Sequence, residues 1–220
     1  MFYALSWLLY DPFVLLALVA LGLWFVSGQL RGRYWNPFSW FTRRQKISKL
    51  RDQLATNPHD MTARLDAGKL LVESKRWAEA RQHLEPVIER RNSSPEAWYF
   101  WGRALLGLGQ LEQGEEAIRK ALELRRDLLV GEPWYALAQH HYARKELAQA
   151  LPFFEELVAA NSSHSEGYYK LGECLKEAGR LDEAKQAWNE AIEAHKAAPR
   201  YKRRVNRPWK WRAQLALARS

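Results

Sequence analysis

This 220-residue chain contains side chains able to do acid–base, nucleophilic or metal chemistry, but their spacing argues against each. His140 and His141 are adjacent, so on a helix they point about 100° apart and cannot chelate one metal from one face. His59, His83, His164 and His195 are scattered at expected helix ends and surfaces. Cys174 stands alone, which excludes an intramolecular disulfide framework, a Cys-based zinc site and an iron–sulfur cluster; it reads as a partly buried structural thiol. Glu115-Glu116 and Glu155-Glu156 read as solvated helix faces. No phosphate-binding glycine loop, dinucleotide fingerprint, nucleophile elbow or HExxH helix is present. The expectation is a protein with no catalytic residue, no cofactor and no metal site.

What remains is the chemistry of recognition. One constellation is a set of tyrosines at regular intervals with charged residues beside them. The other is a basic, aromatic C-terminal stretch holding Arg200, Lys202, Arg203, Arg204, Arg207, Trp209, Lys210, Trp211 and Arg212. Both need a scaffold to present them, and the period of that scaffold is legible. Gly68, Gly102, Ala138 and Gly172 are 34, 36 and 34 residues apart. Around them, Trp98-x-x-Trp101-Gly102-x-x-Leu105 matches Trp134-x-x-Leu137-Ala138-x-x-His141 and Tyr168-x-x-Leu171-Gly172-x-x-Leu175. Twelve residues past each small residue comes a second one (Ala80, Gly114, Ala150, Ala184), and four further on a large apolar one (Leu84, Ile118, Phe154, Trp188).

Each unit therefore reads as two helices, the small residue of the first allowing close approach of the second. Turn and cap chemistry separates them: Ala178-Gly179-Arg180 within a unit, Asn92-Ser93-Ser94-Pro95 and Gly131-Glu132-Pro133 between units. Residues 61–198 resemble four tetratricopeptide repeats, whose pattern is W-x2-L-G-x2-Y…A-x3-F…P. The first unit departs by placing Arg64 at an apolar position, and the second-to-third junction is two residues longer. The resemblance implies an all-α solenoid. Lys46–Asn57 resembles the second helix of an incomplete unit covering its apolar end. Pro208–Arg219 is expected to form a capping helix after a basic link over Arg200–Arg207, with Trp211, Leu215 and Ala218 on one face.

The resemblance also places the first helix of each unit on the concave surface. The residue after the large apolar position then faces the groove: Leu65, Tyr99, Tyr135 and Tyr169. Four residues on come Lys69, Arg103, Gln139 and Glu173, with Tyr142 and Lys176 close by. Tyrosines among mixed charges suit a protein or peptide client; the alternative is that they pack between helices. Some members of the family grip acidic C-terminal peptides with Lys and Asn at these places, but the Asn is absent here, so that specificity does not carry over.

Charge and apolarity divide the chain further. Residues 1–11 form a short apolar segment. Phe13–Val26 has no polar side chain, and residues 12–30 are long enough to span a bilayer as a transmembrane helix. No Lys or Arg precedes that span, whereas the basic, aromatic segment 31–60 begins a run of seven bases. The positive-inside rule then puts the N-terminus outside and the repeats in the cytoplasm, at an inner membrane. Residues 61–195 are mildly acidic, and residues 196–220 hold nine bases and no acid. The tail (199–220) suits anionic lipid or an acidic partner first, a plain cap second and nucleic acid third. The sequence thus suggests a membrane-tethered scaffold that docks a protein in its groove. Rival readings are a periplasm-facing assembly factor, as in cytochrome c maturation or envelope biogenesis, and a structural subunit of a larger membrane complex.

Overall fold

The architecture follows from where a helix can start and which face it can bury. The computed structural model describes residues 37–91 and 93–220. The expected membrane span over 12–30, and the residues before it, lie outside the described residues. Among those described, no helix is long and apolar enough to cross a membrane.

Ten α-helices and one 3-10 turn make up the described residues, with no strand. Helix α1 (Pro37–Thr56) precedes four helical pairs: α2 (Met61–Glu73) with α3 (Trp77–Ile88), α4 (Pro95–Gly107) with α5 (Leu111–Leu124), α6 (Glu132–Ala143) with α7 (Leu147–Ala160), and α8 (Ser165–Glu177) with α9 (Leu181–Ala197). Helix α10 (Arg200–Ala218) closes the array. Each pair packs together and the first helices α2, α4 and α6 meet across repeats, so the described residues form an all-α, tetratricopeptide-like solenoid.

The caps are local and regular. Asp60 accepts the Ala63 N–H (2.9 Å), Ser94 that of Ala97 (3.2 Å), and His164 Nδ1 that of Gly167 (2.9 Å). Inside each pair the turn residue is left-handed: Lys75, Gly109, Lys145 and Gly179. In every case the next residue donates its N–H five back, Arg76 to Leu71, Gln110 to Leu105, Glu146 to His141 and Arg180 to Leu175. That is the Schellman closure of an α-helix.

The repeated small residues mark the closest helix–helix approach. A Cβ built on Gly68 would lie 2.5 Å from Leu84, and one on Gly102 would lie 2.6 Å from Ile118 and 2.7 Å from the Gly114 carbonyl oxygen. On Gly172 it would strike the Trp188 indole. Leu84, Ile118, Phe154 and Trp188 are all fully buried. At the open end of the first repeat, α1 buries Ile47 and Leu54, the latter beside Ala63 and Ala67. Arg64, at the departing position, donates to the Pro58 carbonyl (2.9 Å).

The C-terminal stretch differs from the sequence expectation in two ways. Arg200–Arg207 is not a link: α10 runs unbroken from Arg200 to Ala218 with Pro208 inside it. Pro208 is exposed, so its ring sits on the solvent side, where a helix tolerates it best. The packed face is also the opposite one. Ala213 is fully buried with Ala216 and Leu217 against the core, whereas Trp211 and Leu215 are 59% and 50% exposed. Alanines allow the close approach that a tryptophan face would prevent.

Candidate functional site

The first helices α2, α4, α6 and α8, expected to line the concave face, differ between the two halves of the array. In the N-terminal half the expected groove residues are engaged with one another. Lys69 Nζ donates to Glu96 on the next first helix (2.6 Å), and Arg125 approaches the other oxygen of Glu96 (3.6 Å). The Lys69 hydrogen bond, opposed by burial, holds the Glu96 carboxyl below its usual pKa. Tyr99 is only 2% exposed and its hydroxyl accepts from Arg103 (2.8 Å). Its ring lies at the seam between α4 and α6, near enough to Glu132 for that carboxylate to help burial raise its pKa. Tyr99 is thus a packing residue, and the expectation that it meets a ligand is corrected. Leu65 is half-buried and packs on the core of the first two repeats.

The C-terminal half is more open and more aromatic. Tyr135, Gln139, Tyr142, Tyr169 and Glu173 are half-buried and Lys176 is exposed. Glu166 anchors the floor: one of its oxygens accepts from Tyr135 (2.8 Å), Gln139 (2.9 Å) and Lys170 (2.6 Å). Lys170 is 7% exposed, and its ammonium lies 5.9 Å from the Tyr135 ring centre, 5.0 Å from Tyr142 and 5.2 Å from Trp209. Three rings and one carboxylate therefore neutralise a buried cation. Burial, reinforced by Glu166, pushes the Tyr135 phenol well above its ordinary pKa, and Tyr142 is pushed up to about 12 for the same first reason, with Glu173 adding to it. These phenols are donors, not acids, at neutral pH.

Helix α10 completes this end. The Trp209 ring sits 5.7 Å from that of Tyr169, and Arg212 lies 4.7 Å above Trp209. Arg212 also acts electrostatically on Tyr142 and Tyr169, which places it beside the groove. Glu173 makes no hydrogen bond among the described residues. Burial raises its pKa against the pull of Lys176, so it is an acceptor that would gain from a donor brought by a ligand.

Sequence reasoning missed Glu96, Glu132 and Glu166 as a set. They lie 36 and 34 residues apart, so the period already seen in the small residues would have found them. Their place, in the first turn of α4, α6 and α8, also favours a carboxylate. Lys170, Trp209 and Arg212 needed the fold.

Other chemistry-bearing groups have structural work. Cys174 is buried and its thiol is pushed up to about 12 by desolvation, which removes nucleophilicity at neutral pH. His141 stacks on Phe153 and meets Glu146 through Nδ1 (2.9 Å), while its Nε2, 3.4 Å from Glu115, makes no hydrogen bond among the described residues. A cavity of about 770 Å³ lies between α1 and the α2–α3 turn. There Arg43 reaches Glu73 while Arg51 and Arg76 share Glu79, an ionic staple of α1 onto the first repeat. Among the described residues no three His, Cys, Asp or Glu converge as metal ligands would.

Comparisons with known proteins agree with this architecture. Residues 47–100, 71–140 and 141–204 match the model of a tetratricopeptide repeat family. Superkiller complex protein 3 of Homo sapiens is 32% identical over 74 residues, which is 34% of this chain and only 5% of that protein. Among solved structures, MamA superposes with a TM-score of 0.60 at 20% identity, over 68% of this chain and 86% of that one. YrrB, described as a TPR protein with an unusual peptide-binding site, superposes at 0.55 and 18% identity, over 72% of this chain and 81% of that one. At such identities the likeness is one of fold.

Proposed function

The chain belongs to the tetratricopeptide repeat family, and from that premise we propose that it is a membrane-tethered adaptor docking an extended peptide stretch of a protein partner along the C-terminal half of its concave face. The observation that carries this reading is the row Tyr135, Tyr142, Tyr169 and Trp209, half-buried and flanked by Gln139, Glu173, Lys176 and Arg212. Half-buried tyrosines offer large area at low entropy cost, and the polar flank fixes register. Glu173 awaits a peptide N–H or a lysine. The N-terminal half is stitched shut by Lys69–Glu96 and Arg103–Tyr99 and serves as a rigid support. The peptide-binding site attributed to YrrB is consistent with this use of the fold.

The tether in this reading is residues 12–30, with the repeats facing the cytoplasm because the bases follow the span. Holding the groove at a bilayer raises the local concentration of a client that is itself at the membrane. Proteins of this family generally act as scaffolds, and no catalytic step is assigned.

Replacing Tyr142 and Tyr169 together by Ala tests the groove. Each anchor contributes on the order of 2 kcal/mol when buried by a ligand, so co-purified partners should disappear while helicity persists. A folded double variant that keeps every partner refutes the docking site. A reporter active only in the periplasm, fused after Ser220, should stay silent; activity would refute the orientation.

A further inference from the structure

Helix α10 uses only one side to close the solenoid. Trp209, Ala213, Ala216 and Leu217 face the core and Tyr169. At about 3.6 residues per turn, Arg200, Arg204, Arg207, Trp211, Leu215 and Ala218 fall along one line on the opposite side. All six are exposed, and Tyr201 beside them is 72% exposed. The helix contains no Asp or Glu, and neither does any other part of residues 196–220. An outward stripe of three arginines followed by a tryptophan and a leucine one turn apart is not what a solvated cap requires.

We propose that this outer face of α10 lies on an anionic phospholipid surface, with Trp211 and Leu215 entering the interface and Arg200, Arg204 and Arg207 at the level of the phosphates. The composition is that of an interfacial helix: arginines for the headgroups, an indole and an aliphatic side chain for the acyl boundary. Charge complementarity selects an anionic bilayer over a neutral one. A nucleic acid fits less well, because single strands need successive flat rings to stack on. Here Leu215 and Ala218 continue the line and the nearest other indole, Trp209, is turned onto Tyr169. A second copy meeting through the same face would set arginines against arginines. The inference stands on α10 alone and requires neither the groove reading nor the proposed span over 12–30.

The test uses the full-length chain carrying Gln214→Cys, labelled with an environment-sensitive nitrobenzoxadiazole probe. Gln214 is exposed beside the stripe, whereas Cys174 is buried and resists labelling. The probe should shift to the blue with vesicles of phosphatidylcholine and phosphatidylglycerol, and not with phosphatidylcholine alone. Replacing Arg200, Arg204 and Arg207 by Gln should raise the lipid concentration at half-shift about tenfold or more. Replacing Trp211 and Leu215 by Ser should abolish the shift while circular dichroism stays unchanged, since neither side chain supports the fold. Vesicle flotation run in parallel separates the two membrane readings: a chain that floats on neutral vesicles with a silent probe is tethered elsewhere and overturns the α10 inference alone. An equal shift in both vesicle types overturns it as well. So does a shift produced without lipid by an RNA oligonucleotide, or by raising the protein concentration.

Discussion

The repeat register makes a quantitative claim about the pair Gly172 and Trp188. Gly172 lies mid-helix in α8, and Trp188 on α9 is fully buried with its indole N–H donating to the Tyr169 carbonyl (3.3 Å). A Cβ on Gly172 would stand 2.5 Å from Trp188 Cδ1 and 2.9 Å from Cε2, so the indole must move by the better part of an ångström in a site without spare room. Gly172→Ala gains about 0.5–1 kcal/mol of helix propensity and loses about 1–3 kcal/mol to overpacking. The net expectation is a destabilisation of about 1–2 kcal/mol. Trp188→Phe alone leaves a partial cavity and costs about 1–2 kcal/mol. Together the two changes recreate the combination that the third repeat already uses, Ala138 against Phe154, both fully buried. The double variant should therefore lie within about 1 kcal/mol of the parent, a coupling of about 1–3 kcal/mol.

Urea unfolding of residues 38–220, which form a compact unit, followed at 222 nm supplies all four corners of this cycle. Gly102 is the internal control. Its added Cβ would meet the Gly114 carbonyl oxygen at 2.7 Å as well as Ile118, and a backbone atom cannot be trimmed away. Gly102→Ala should thus not be rescued by Ile118→Val. If the Gly172 and Trp188 changes add to within about 0.5 kcal/mol, helix spacing in the repeat is not set by this pair and the packing argument fails.

Two further outcomes follow from the caps and turns. His164 caps α8 only while Nδ1 is unprotonated, and burial lowers its pKa from 6.5, opposed by Glu166 and Glu132 and assisted weakly by Lys170. Because the folded value is the lower one, the stability it contributes is complete above the unfolded pKa and lost as pH falls through the folded value. His164→Ala should cost about 1 kcal/mol near pH 8 and almost nothing near pH 5, whereas His164→Asn should vary little between them; a gap for His164→Ala that is equal at both pH values would sink the capping role. Lys145 occupies the left-handed turn position at φ 63°, where the second and fourth repeats use Gly109 and Gly179. Lys145→Gly should therefore raise stability by roughly 0.5–1 kcal/mol in the same assay, and a loss would mean that its side chain, not its backbone, governs the turn.

How far the sequence reveals this molecule depends on how strictly packing dictates residue type. The period is legible because each pair has one point of closest approach, and only Gly or Ala fits there against Leu84, Ile118, Phe154 or Trp188. The end of the chain departs from the sequence expectation for a physical reason. Trp209–Ala213–Ala216 and Trp211–Leu215–Ala218 are both stripes at helical spacing, and the larger apolar stripe is the natural choice for the core. The last pair instead presents Tyr169 and the caged Lys170, which accept one indole edge and otherwise demand alanines. Pro208 departs in the same way, since proline marks a helix start more often than the middle of an exposed face, yet here it lies inside α10.

The tyrosines show why a register position does not by itself fix a role. Tyr99 and Tyr135 hold equivalent places, yet one is sealed in the core and the other is only half-buried. What differs is the neighbouring repeat. Arg103 folds back onto the Tyr99 hydroxyl at its own seam. At the next seam Gln139 and Tyr135 both reach forward to Glu166, and Tyr142 and Tyr169 stand beyond them. The sequence signal for this lies in the residue four positions after each tyrosine, read against the glutamate at the start of the following unit. Arginine and glutamine there both donate to their own tyrosine (2.8 and 2.6 Å), but only the glutamine also donates to the glutamate that starts the next unit (2.9 Å). After the fourth unit no such glutamate follows, and Trp209 of α10, with Arg212 over its ring, takes its place beside Tyr169. The ladder of inter-repeat carboxylates therefore ends at the fourth unit, where the half-buried Tyr169 and Glu173 have no following glutamate to meet.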